Sequence, residues 1–210
     1  MRTDRLHLAE AEFLRQYPEG FASADLAKIG KRHRIEQMTT LARESLTKKN
    51  FAHQAVVLDA IVRLVTRSSM VSLFEKPKFR DAVNGLDKDD RAYLADGFRL
   101  LLHGNEEKGF NRILDVLSEI RLAKWSLITI VPFYYRPQVD VFVKPTTTKN
   151  IIRFLELEGL DYRPRPSWDF YARYREAINA CKAQVNPSLA VNNAAFTGFL
   201  MMTLDRGRAE

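Results

Sequence analysis

Apolar residues return every three or four positions along most of this chain, and that spacing constrains the fold more than any other feature. Leu6, Ala9, Phe13 and Tyr17 recur at such steps before Pro18, and Ile35, Met38, Ala42 and Leu46 repeat the pattern over 34–48. Each set shares one face of a helix, because 3.6 residues complete a turn. Between the two, Ser23 is placed to cap a short helix that stops near Gly30. The run from Ala52 to Val65 is apolar nearly all round, as in a helix buried inside a bundle. Pro77 and Gly85 bracket a short basic helix. Asp87 opens a further one, with Asp89 and Asp90 in the positive first turn, Leu94, Phe98, Leu101 and Leu102 along one face, and Gly104 as the stop. Asn105 starts the next, with Glu106 and Glu107 in its first turn and Phe110, Ile113, Leu114 and Leu117 as its buried stripe.

Near residue 125 the texture changes. Trp125 to Phe133 is apolar and β-branched, Tyr134-Tyr135-Arg136-Pro137 reads as a turn, and Val139 to Val143 alternates at period two. The spacing predicts a short β-hairpin over 126–143, against a competing extension of the preceding helix to about residue 130. Helices resume from Thr146 to Glu158 with Gly159 as terminator, from Ser167 to about Gln184 with Phe170, Tyr174, Ala177, Ile178 and Cys181 inward, and from Asn193 to Leu204. The segment 161–166 between them should be extended, since each proline pushes its predecessor out of the helical region. The expectation is a mainly α fold: a helical bundle of about eight to ten helices with at most one short β-hairpin near 126–143. A weak seam near Gly85 separates an N-terminal helical subdomain, 1–85, from a C-terminal one, 86–210, within one contiguous globule.

The composition narrows the function classes. With 46% apolar and 28% charged residues, disorder, collagen and fibrous coiled coil are excluded. Leu127 to Phe133 is the longest uncharged apolar stretch and is far short of the roughly 20 residues that cross a bilayer. Glu10 and Glu12 break any secretory h-region, and a lone Cys181 fits a reducing compartment, so the expected address is cytoplasmic. His7, His33, His53 and His103 never stand at metal-gripping spacing, and Cys181 falls on an apolar stripe, so no metal, cofactor or catalytic residue is assigned. Gly104 to Gly109 lacks the lysine of a phosphate loop.

Charge is segregated. The net charge of +7 resolves into +8 over 28–80 and +5 over 121–182, against −4 over 81–120, −2 over 1–27 and 0 over 183–210. A positive face would attract polyanions, although a basic excess also serves solubility alone. Residues 125–174 also hold 11 of the 22 aromatics, and 132–166 hold five of the eight prolines, so this region is stiff and shaped. The helix after Pro145 differs from those opening at Asp87, Asn105 and Ser167, because Lys144-Pro145-Thr146-Thr147-Thr148-Lys149 carries no carboxylate in its first turn. Unpaired N–H groups, hydroxyls and lysines there describe an anion cradle, with Lys144, Thr146, Thr147, Thr148, Lys149, Arg163 and Arg165 as phosphate ligands. Tyr134, Tyr135 and Arg136 are the stacking candidates.

From Lys124 to Met202, the order Lys-Trp-Ser-x-x-Thr, Phe-Tyr-Tyr-Arg-Pro, Phe142 to Lys149, Tyr162 to Pro166, Tyr171 and Phe196-x-x-Phe199 resembles a helical module of uncharacterised bacterial proteins, some of which accompany restriction or other DNA-handling genes. Ser126 departs from that pattern, which has proline there. The resemblance implies a mainly α fold and a tilt towards nucleic acid, and carries no catalytic residue across. Three functions follow as expectations: a nucleic-acid-binding module; an interaction or adaptor domain whose 125–174 aromatics form a groove for an acidic protein partner; and an enzyme for a phosphorylated or acidic small molecule, with Tyr135 or Asp140 carrying a proton.

Overall fold

A computed structural model of the chain describes residues 2–206, and in it the recurrent apolar faces become the inner faces of eleven α-helices, with no β-strand among the described residues. They are α1 (Thr3–Gln16), α2 (Ala24–His33), α3 (Ile35–Ser45), α4 (Gln54–Arg67), α5 (Glu75–Gly85), α6 (Lys88–His103), α7 (Glu106–Glu119), α8 (Trp125–Tyr135), α9 (Pro145–Phe154), α10 (Trp168–Lys182) and α11 (Asn193–Arg206). Only Arg34, in the left-handed region at φ 51°, separates α2 from α3, so counting them as one broken helix gives ten. Gly30 therefore does not end α2; the break comes four residues later, where Arg34 turns the chain.

The all-round apolar helix is central, as its composition requires. α4 buries Val57, Leu58, Ala60, Ile61, Leu64 and Val65 and packs against α3, α5, α6 and α8. The tightest pair is α6 with α7, whose caps follow the sequence: Asp87 accepts from the backbone N–H of Asp89 and Asp90 at 2.9 Å, and Asn105 accepts from that of Lys108 at 2.8 Å. The helices approach so closely because Gly109 faces the α6 backbone. The apolar core runs unbroken across Gly85, joining residues of both halves of the chain.

The expected β-hairpin does not form. Residues 125–135 are α8, with nine of its eleven residues buried, among them Leu127, Ile128, Ile130 and Val131. A helix surrounded on every side shows no amphipathic period, and its burial outweighs the modest strand preference of Ile, Thr and Val. The chain turns at 137–139, where the Val139 N–H donates to the Arg136 carbonyl at 2.9 Å, and 140–143 pairs with no strand among the described residues. Its Val143 N–H donates to Thr129 Oγ1 of α8 at 3.0 Å, and Val141 and Val143 point into the core. α9 also ends at Phe154 rather than Glu158, the chain turning through Glu156 at φ 47° and Gly159 at φ 71°.

Candidate nucleic-acid interface

The 68–75 loop, which runs from the end of α4 into the first residue of α5, lies at the junction of the two basic stretches. Its buried end is fixed: Ser68 Oγ shares a 2.8 Å hydrogen bond with the Tyr134 hydroxyl, and also accepts from the Met70 N–H. One residue on, Ser69 Oγ is hydrogen-bonded at 3.0 Å to His33 Nδ1, at the end of α2. His33 has its pKa held down by partial burial first, and then by the charges of Arg32 and Lys144. Lys144 precedes α9 and is more than a hundred residues away in sequence, and the 28–80 and 121–182 stretches are joined directly by the Ser68–Tyr134 hydrogen bond. At the loop's far end, Glu75 accepts from Ser126 Oγ at 2.8 Å, while neighbouring Trp125 donates its indole N–H to the carbonyl of Arg163 at 2.8 Å. Lys149 stands 5.8 Å from the ring of Tyr162, which with Arg163 belongs to the strap 161–166 between α9 and α10.

The cations around this loop are exposed and uncommitted. Lys31, Arg32, Arg34, Arg67, Lys78 and Lys144 are all exposed, and none is in an ion pair among the described residues. Elsewhere on these elements, Lys28 pairs with Asp25 and Arg80 with Asp81. The start of α9 holds no first-turn carboxylate, as expected, and Lys144 is its N-cap.

The residues expected to hold phosphate are only partly brought together. Lys144 and Thr146 are exposed at the helix start, and Lys149 reaches the strap. Thr147 is half-buried and donates to Met201 Sδ at 3.3 Å. Thr148 points inward and is fully buried, since a residue three places into the helix faces the core that Ile151 also joins, so it is no phosphate ligand. Arg163 is exposed beside Asp161 at 3.5 Å. Arg165 lies apart from the cationic ground, in an open, shallow hollow on the α6–α7 flank shared with Asp90, Asp115 and Glu119.

The stacking candidates are corrected more sharply. Tyr134 is wholly buried, and burial pushes its phenol pKa up. Tyr135 is half-buried, edge-on to His103 at 5.3 Å between ring centres. Arg136 belongs to a closed ring of alternating charge. Its Nε donates to Asp140 at 2.6 Å and its Nη1 lies 2.8 Å from Glu106; Arg175 joins the same two carboxylates, at 2.9 Å to Asp140 and 2.6 Å to Glu106. The Tyr171 hydroxyl donates a further 3.0 Å bond to Asp140. Burial disfavours the Glu106 charge, yet Arg175 and Arg136 together hold its carboxyl below the ordinary range. Two cations and two anions cancel here, and every oxygen of the fully buried Asp140 is engaged, so the ring is a structural tie. Asp140 therefore has no surface to offer a substrate. The groove imagined in 125–174 is likewise filled, because Trp125, Phe133, Phe170, Tyr171 and Tyr174 are themselves core.

Sequence reading missed His33, Ser69 and Arg67 as parts of this cationic surface, and Arg175 and Tyr171 as parts of the tie. The one local signal for the tie was the opposite charge of Arg136 and Asp140 across four residues. Among the described residues no group of three or more His, Cys, Asp or Glu is disposed to hold a metal, and no helix is long and apolar enough to cross a membrane. No protein-family model matches the chain, nor does any curated protein or solved structure.

Proposed function

We propose that the protein binds nucleic acid through the cationic ground formed by the ends of α2 and α4, the 68–75 loop and the start of α9. The observation that carries this reading is the set of exposed cations Lys31, Arg32, Arg34, Arg67 and Lys144, none in an ion pair among the described residues, on elements that the Ser68–Tyr134, Glu75–Ser126 and His33–Ser69 hydrogen bonds tie together. Like charges held together in water are unfavourable unless an anion offsets them, and a phosphate backbone supplies a row of such anions. Fixed backbone around the patch adds to this. Ser68 is locked under Tyr134 and Ser69 to His33, so the cations stand on a rigid support.

Electrophoretic mobility shifts at graded salt test it. Affinity for duplex DNA should fall with a log–log slope of roughly −0.9 per phosphate contacted. Replacing Lys31, Arg32 and Lys144 together by Ala should reduce the magnitude of that slope by about 2–3 and leave the melting temperature in place, because these side chains are exposed and unpaired. An unaltered slope in the triple variant, or no binding at low salt, defeats the reading.

A further inference from the structure

We infer that the nucleic acid taken by this surface is unpaired, and that Leu73 and Phe74 at the tip of the 68–75 loop are its base contacts. The inference rests on the nucleic-acid reading of the surrounding cations. Phe74 is 82% exposed and Leu73 78%, more than any other large hydrophobic side chain among the described residues. They protrude from fixed backbone. The N–H of Phe74 donates to Ser72 Oγ at 3.3 Å, those of Glu75 and Lys76 donate to the Ser72 carbonyl at 3.0 and 3.2 Å, and Val71 and Phe79 on either side are buried. The tip is therefore presented, as the cations are.

Its setting selects the occupant. Phe74 already has helical backbone angles at the cap of α5, so the exposed Lys78, four residues on, lies on the same helix face. Glu75, the one carboxylate between Arg67 and Arg80, is turned aside onto Ser126. An aromatic face flanked by cations matches a nucleotide whose base is open to stack and whose phosphate lies next to it. A duplex encloses its bases and offers this ring only phosphates, to which Phe74 and Leu73 contribute nothing.

Fluorescence anisotropy of a labelled oligothymidylate of about 20 nucleotides, against a hairpin duplex of similar length, separates these cases. The intact chain should prefer the single strand. Phe74→Ala should weaken single-strand binding roughly 5- to 100-fold and leave the duplex affinity unchanged, while Phe74→Trp keeps the preference and shows its indole emission quenched by the stacked base. The side chain is exposed, so both variants should melt with the parent protein. Equal affinity for both forms in the intact chain, or single-strand binding indifferent to Phe74→Ala, overturns the inference while the phosphate-binding surface stands. Failure to bind either form overturns both. Binding to phosphatidylserine vesicles that disappears in Phe74→Ala, with no such loss on the oligonucleotide, overturns it in favour of a membrane surface.

Discussion

Among the described residues, Asp140 is the charged side chain with no exposed surface, and it accepts from Arg136, Arg175 and Tyr171 at once. Removing its charge would strand two arginines on Glu106 alone, and a buried pair deprived of one partner costs about 3–5 kcal/mol. Asp140→Asn should lose that much in urea unfolding, with the slope of the transition unchanged. The larger part of the loss should return when Arg175 is also made Met, because the uncompensated cation is then gone. The lone cysteine shows the opposite economy. Cys181 is fully buried, and burial pushes its thiol up to about 11, which leaves little thiolate at neutral pH.

Glycine means different things in different helices here. A Cβ on Gly109 would stand 2.2 Å from the Leu101 nitrogen and 2.7 Å from the Gly97 carbonyl oxygen, both backbone atoms, so α6 and α7 would have to part. At Gly30 nothing lies within 4 Å. Gly109→Ala should therefore destabilise by about 1–3 kcal/mol, the cost of overpacking, while Gly30→Ala should stabilise by about 0.5–1 kcal/mol through helix propensity alone. Thermal melts of the two variants should move in opposite directions. The same scale shows what was legible in sequence. α6 and α7 could be read to their caps because cap chemistry and a one-sided stripe are local signals. α8 could not, since a helix buried on all faces erases the stripe, and its Ile128-Thr129-Ile130-Val131 run reads equally well as strand. The charged tie was invisible for another reason: Arg175 lies 69 residues from Glu106 and 35 from Asp140, and no pattern in one segment announces such a partner.

Across the whole molecule the two basic stretches keep Lys144 and Arg32 near one imidazole, and this makes His33 a reporter of whatever sits there. Its folded pKa lies below the ordinary value, so the unfolded chain takes up the proton first as pH falls, and His33 withdraws stability between its unfolded and folded pKa values. A bound polyanion would offset Arg32 and Lys144 and raise that pKa, so binding would draw in a proton. Affinity for oligothymidylate should then climb severalfold as pH falls from about 7.5 to about 5.5. His33→Gln should flatten that rise, as direct titrations at the two pH values would register. The positive halves of this ground were each visible as composition; the links between them were not, since only tertiary packing joins Ser68 to Tyr134 and Glu75 to Ser126. Packing at the opposite ends of the chain has its own outcome. Phe13 of α1 rests edge-on against Phe199 of α11 at 5.2 Å, Arg5 reaches Glu156 at 2.8 Å, and Glu10 accepts from the Asn186 N–H at 2.5 Å. On a ribosome adding about 5–20 residues per second, the first helix must wait on the order of 10–40 s for the surface that covers it. A nascent chain of this kind leaves the apolar stripe of α1 open to chaperones until α11 has been made.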